Sequence, residues 1–191
     1  PVFFMLTGAT LMDYRNKYNT KTFFKKRILK TVVPFFIWSL IIIIWKYYTN
    51  RLEINEFSVI SILNIIFNNK QESVYWFFWS LFAVYISMPI LSLLTESKHR
   101  KTLWYLVIVS AIFNSIPLIS QITKINWNGD FNFPIACGYI GYVVLGYLIS
   151  TQDISKRKRY IIYFLGIISL LIRYFGTYFL SRRDGVINKL F

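Results

Sequence analysis

SVYWFFWSLFAVYISMPILSLLT, residues 73–95, is a run without a single Asp, Glu, Lys or Arg. An α-helix rises 1.5 Å per residue, so a run of this length covers the roughly 30 Å hydrocarbon core of a bilayer. Two more uncharged runs of similar length follow it, Thr102 to Thr123 and Phe131 to Gln152. Tyr160 to Ser181 is a further span, interrupted only by Arg173. On the N-terminal side, Thr31 to Trp45 is shorter, but Lys30 and Lys46 can extend outward at its ends and Tyr47 and Tyr48 lengthen it. Pro1 to Met12 reads as half of another crossing. Phe57 to Asn69 is uncharged but too short to cross, as an interfacial or re-entrant helix would be. These segments predict an all-α, polytopic transmembrane helix bundle of five whole crossings and one partial one.

Composition agrees with that class. The chain is 55% hydrophobic and 20% aromatic, with a mean hydropathy of +0.47, beyond what one soluble core of this size requires. Its formal charge of +14 is gathered in short bursts between uncharged spans. Nucleic-acid binding would instead need Lys and Arg along one face of a folded domain, so no nucleic-acid partner is expected. One cysteine, Cys137, provides no disulfide framework.

The bursts alternate. Asp13 to Lys30 carries Arg15, Lys17, Lys21, Lys25, Lys26, Arg27 and Lys30, whereas Thr49 to Glu72 is balanced by Glu53, Glu56 and Glu72. Lys98, Arg100 and Lys101 make the next turn basic. Lys124 stands against Asp130 in the one after, and Lys156 to Arg159 are basic again. Positive loops stay on the cytoplasmic side, which puts 13–30, 96–102 and 152–160 there in a multi-pass protein of the cell membrane. Arg182, Arg183 and Lys189 fall on the outer side, and nothing in the pattern explains them. Trp45, Tyr47, Tyr48, Tyr75, Trp76, Trp104, Tyr105, Tyr160 and Tyr163 lie near the expected interfaces, where amphipathic rings settle.

Soluble-enzyme signatures are missing: there is no Gly-rich phosphate loop, no metal-spaced Cys/His set and no Gly-x-Ser-x-Gly elbow. No metal site is expected. His99, the one histidine, lies in a cationic loop that supplies no partner for a general base. Lys25, Lys26, Arg27 and Lys30, at a helix entrance, read first as topology and anionic-lipid contact, and could also hold the phosphates of a ligand. Arg173, inside a crossing, either faces a polar cavity or extends outward past Thr177. Trp127-Asn128-Gly129-Asp130 is an ordinary turn or a place for a sugar to stack.

The order of short motifs carries a resemblance. Phe3-Phe4-Met5-Leu6-Thr7-Gly8 is followed by Phe24-Lys25-Lys26-Arg27-Ile28-Leu29-Lys30 and Pro34-Phe35-Phe36-Ile37-Trp38-Ser39. Then come Trp76-Phe77-Phe78-Trp79-Ser80-Leu81 with Tyr85 and Pro89-Ile90-Leu91, and Gly141-Tyr142-Val143-Val144-Leu145-Gly146-Tyr147. From Val2 to about Ser150 this succession resembles the acyltransferase-3 family of membrane O-acyltransferases.

The resemblance implies about ten crossings in all, so that 1–191 is a single acyltransferase-like domain incomplete at both ends. It implies a catalytic His on a helix before Pro1, and hence no catalytic residue within these positions. Arg27 and Lys30 match an Arg-x-x-Arg pair that handles the acyl donor, with Lys26 beside them, although Lys at 30 lacks the planar fork of Arg. Thr7 stands where Ser is usual and keeps the hydroxyl, and Gly8 allows close helix approach.

The expected activity is transfer of an acyl group, acetyl first among them, from cytoplasmic acyl-CoA to a hydroxyl of a bacterial surface polysaccharide or lipid-linked glycan. Acyl-CoA is then a donor substrate rather than a resident cofactor, and membrane lipids are the other partners. The rival reading is a transporter or flippase of a lipid-linked glycan or small anion, with Arg173 on its path. A scaffold membrane protein is a third.

Overall fold

The computed structural model describes residues 1–51, 58–123 and 138–183, and among these there are helices and turns but no strand. The chain divides into two compact units, Pro1–Thr151 and Gln152–Phe191.

In the first unit, α1 (Val2–Leu11) buries Phe4, Thr7, Gly8 and Leu11, the i, i+3, i+4, i+7 stripe of a helix with one packed face. Thr7 satisfies its own hydroxyl by donating to the Phe3 carbonyl at 2.9 Å. After a tight turn at Tyr14–Asn16, Asn19 caps α2 (Thr20–Arg27), its side-chain oxygen accepting from the Thr22 N–H at 2.9 Å. A wide π-helical turn, Ile28–Val32, leads into α3 (Val33–Tyr48), where Pro34 lacks the N–H that would bond to a carbonyl of the preceding turn. Together they form one continuous 29-residue helix, Thr20–Tyr48.

Here the structure departs from expectation. The basic stretch 13–30 is a loop only as far as Asn19, and the helix starts at Thr20 rather than Thr31. The reason is packing: Phe23 is wholly buried, stacked on Tyr14 with centroids 4.4 Å apart, and it anchors a Lys-rich turn that composition alone assigns to solvent. The other basic segments are also partly helical, since helices begin at Arg100 and at Lys156.

α4 (Val59–Phe67) is nine residues long and capped by Ser58, and the chain turns away after it at Asn69, whose φ of 55° is the left-handed conformation that Asn tolerates. It is the short helix expected at 57–69. A turn at Ser73–Tyr75 opens α5 (Trp76–Leu91), and the helical stretch continues to Thr95, so the span read at 73–95 has the expected ends. α6 (Arg100–Thr123) has 24 residues and carries its charges only at Arg100 and Lys101. Of the expected span 131–152, the described part is α7 (Ile140–Thr151). Cys137 and Trp127 to Asp130 lie outside the described residues.

Two packing modes hold this unit. α1 and α7 meet backbone to backbone: a Cβ on Gly8 would overlap the Val143 carbonyl, and one on Gly146 would overlap the Met5 carbonyl. α3, α4 and α5 instead interlock through rings, with Phe35 in contact with Tyr75, Phe78, Trp79 and Phe82 at centroid distances of 5.1–5.6 Å. α7 is tied to the end of the stretch that continues α5 by Tyr147 Oη donating to the Thr95 carbonyl at 3.1 Å, and to the start of α6 by Arg100 donating to the Thr151 carbonyl at 3.3 Å.

The second unit contains α8 (Lys156–Arg183), uncharged between its basic ends except at Arg173. Among the described residues three stretches are long and apolar enough to cross a membrane: Thr20–Tyr48, Ser73–Thr95 and Lys156–Gly176. Much of their apolar surface points away from the protein, as at Ile37, Ile41, Ile44, Ile86 and Ile90. A surface of that kind suits hydrocarbon rather than water.

Candidate functional site

Among the expected site residues, Arg27 is the one the fold builds in. It is the last residue of α2, and Phe23 lies one turn before it on the same face. Its guanidinium carbon is 5.8 Å from the ring centre of Phe23 and 5.8 Å from that of Tyr85 on α5. Both rings are buried, and ring faces attract a cation more strongly where water is thin. Arg27 Nε is buried and has no hydrogen-bond partner among the described residues, a costly state for a charged donor. Ser39 and Gln71 share that lack of a partner but are neutral.

Lys26 joins the same aromatic group from another side, its Nζ 4.0 Å from the centre of the Tyr18 ring, which in turn leans on Tyr14. Lys30 does not join. It lies in the wide turn, exposed, with no hydrogen bond or ring contact to a described residue. It follows Arg27 by three residues, within that turn.

The reading from sequence missed Arg15. Its Nε donates to Ser92 Oγ at 2.7 Å, its second terminal nitrogen donates to the Pro89 carbonyl at 3.2 Å, and its guanidinium carbon is 5.9 Å from the Tyr14 ring centre. Pro89 lies inside α5, lacks an N–H and disturbs the last turn, while Ser92 also donates to the Pro89 carbonyl at 2.9 Å. Nothing in the sequence near Arg15 signals this, because its partners are 74 and 77 residues away.

Arg15, Lys26 and Arg27 therefore surround one group of rings, Tyr14, Tyr18, Phe23 and Tyr85. None of the three forms an ion pair with a described carboxylate. Asp13, next along the chain, accepts from Asn16 at 2.8 Å instead. The described ion pairs lie elsewhere, Lys46 with Glu72 at 3.2 Å and Lys98 with Glu96 at 2.7 Å. Lys98 holds the Glu96 carboxyl below the usual carboxylate range through that hydrogen bond and its charge. A cationic surface on a rigid aromatic base, with donors to spare, is suited to phosphate or carboxylate.

The remaining residues are dispersed. His99 is half-buried in the turn Ser97–His99, beside Lys98 and Arg100. Arg173 is exposed on α8. Among the described residues no group of three His, Cys, Asp or Glu is placed to hold a metal ion.

Comparison with known proteins adds the family. No curated protein and no solved structure matches the chain. A family model described as an acyltransferase domain matches residues 1–185, which include α1 to α8 and both packing modes. With that match over nearly the whole chain and with helices apolar enough to cross a bilayer, the chain belongs to the acyltransferase-3 family of membrane acyltransferases.

Proposed function

We propose that this chain supplies the donor-binding part of a multi-pass membrane O-acyltransferase in the cytoplasmic membrane. It takes an acyl group, acetyl in the simplest case, from an acyl-CoA on the cytoplasmic side and passes it to a hydroxyl of a surface polysaccharide or lipid-linked glycan. The observation that carries the reading is the unpaired cationic surface of Arg15, Lys26 and Arg27 on its aromatic base. Coenzyme A is polyanionic, and a guanidinium with unused donors binds phosphate through two parallel hydrogen bonds. Lys26 contributes a point charge. Lys30, exposed on the wide turn, raises the local concentration of an anion without fixing its position.

In the transfer, the acceptor hydroxyl oxygen attacks the thioester carbonyl carbon. A C–O bond forms, the C–S bond breaks, and coenzyme A leaves as thiolate. The hydroxyl proton passes to a general base, which we place on a histidine outside residues 1–191, and from there to the thiolate. The chain's own part is to hold the donor's phosphates so that the thioester can extend between the helices.

The test is acyl-CoA-dependent acylation by the full-length protein carrying Arg27→Ala, beside a measurement of membrane insertion. The expected result is lost acylation with normal insertion. Undiminished acylation would overturn the donor site.

A further inference from the structure

Midway along α6 the side chains turn polar. Ser110 and Asn114 stand one turn apart on one face, and Ser115 follows. Polar groups on a long apolar helix are costly against hydrocarbon and belong beside a cavity or a partner. A cavity of about 220 Å³ lies there between α6 and α7, lined by Val107, Ser110, Asn114, Ser115, Gly141 and Tyr142 among others.

Two details make this a shaped recess. Gly141 makes room for the Ser110 hydroxyl, since a Cβ at 141 would overlap Ser110 Oγ. Ser110 is itself only 2% exposed. The Asn114 amide nitrogen reaches Ser110 Oγ and the Gly138 carbonyl, each at 3.4 Å, the long limit of a hydrogen bond, so both are readily exchanged for a better acceptor.

We infer that the recess between α6 and α7 binds one ring of an uncharged polyol, a sugar-like ligand with neighbouring hydroxyls. Among the described residues no charged side chain lines it, which disfavours an ion. Each ligand hydroxyl both donates and accepts, and Asn114 supplies both functions within one side chain. Tyr142 adds an aromatic ring for the apolar face of such a ligand. The volume is below the range of about 300–1,000 Å³ that takes drug-sized molecules, so it suits a single small ring. The identification of that ligand as the acyl acceptor rests on the function proposed above; the recess and its chemistry do not.

The test uses the full-length protein in membranes with Cys137→Ser and Ser115→Cys. A membrane-impermeant methanethiosulfonate reagent measures access, and saturating methyl α-glucoside is the probe. Thiol modification that is slowed by the glucoside but not by inorganic phosphate supports the site. Adding Asn114→Leu, which removes at least one hydrogen bond of about 1 kcal/mol, is expected to weaken protection at least about fivefold. Tyr142→Leu is a second variant with the same expected direction, used where Asn114→Leu does not fold. An unreactive Cys at 115, modification indifferent to the glucoside, or equal slowing by phosphate would each overturn it. Because the assay contains no acyl-CoA, it can succeed where the Arg27 reading fails, and the reverse.

Discussion

The helix Thr20–Tyr48 carries positive charge near both ends, and the two ends treat it differently. Near Tyr48, Lys46 meets Glu72 at 3.2 Å, a cation answered by a carboxylate. Near Thr20, Arg27 and Lys26 rest on rings and meet no described carboxylate, with Arg15 arriving from the preceding turn onto the same rings. A paired charge spends its attraction inside the protein. One held by aromatic faces keeps its hydrogen-bond donors available, so position is fixed while binding capacity is retained. The difference separates a cation that ties two elements together from cations suited to an anionic visitor.

The strongest way to break this comparison is at Arg27. Two charge-assisted hydrogen bonds at about 1.5–3 kcal/mol each predict a fall of about a hundredfold or more in kcat/KM for the acyl donor in Arg27→Ala. Arg27→Lys should recover only part, because it restores charge without the planar fork. Kinetics with varied acyl-CoA decide the matter, and equal values for Ala, Lys and the parent would remove the distinction between the ends.

Next in size is the ring beneath it. Tyr85→Leu should raise the donor KM about fivefold, from a cation–π contribution of order 1 kcal/mol, whereas Tyr85→Phe, which keeps the face, should stay near the parent value. If Phe and Leu behave alike, the ring face is not what seats Arg27.

At the paired end the expectation reverses. Lys46→Met should cost at most about 1 kcal/mol of stability, discounted because the Glu72 side chain is 37% exposed, and should leave the donor KM unchanged. Thermal unfolding in detergent reads the first quantity and steady-state kinetics the second. A Lys46→Met variant as defective in donor binding as Arg27→Ala would mean that net charge, not placement, governs the site.

The smallest effect belongs to Glu96. Its carboxyl is held below the ordinary range by Lys98, so the pair contributes above the unfolded carboxylate range and is lost as pH falls through the lowered value. The group is fully exposed. Glu96→Gln should therefore leave the acid limb of unfolding where it was, and a shifted limb would show that even an exposed pair shapes this protein.

How much of this was legible beforehand depended on the kind of force involved. The spans at 73–95 and along α8 were legible because a bilayer tests length and apolarity, both local properties of the chain. The close approach at Gly8 was legible from the missing side chain. The start of α2 at Thr20 was not, since Lys21, Lys25 and Lys26 hide an anchor, Phe23, whose partners are Tyr14 and Tyr85. Arg27 was visible through the family's motif, whereas the wide π turn that carries Lys30 was not. Arg15 escaped because its meaning lies wholly in contacts made across the fold.

The crossing of α1 and α7 has a consequence for how this protein can change over generations. At Gly8 and Gly146 the opposing surface is a main-chain carbonyl, of Val143 and of Met5. When two side chains collide, a smaller residue on the other helix can restore the fit, so a damaging change has a suppressor within reach. A carbonyl has no smaller alternative. Larger residues at 8 or 146 should therefore have no single-site rescue at 143 or 5, and suppressor screens should recover only true revertants there, while the ring-packed interface around Phe35 yields paired substitutions.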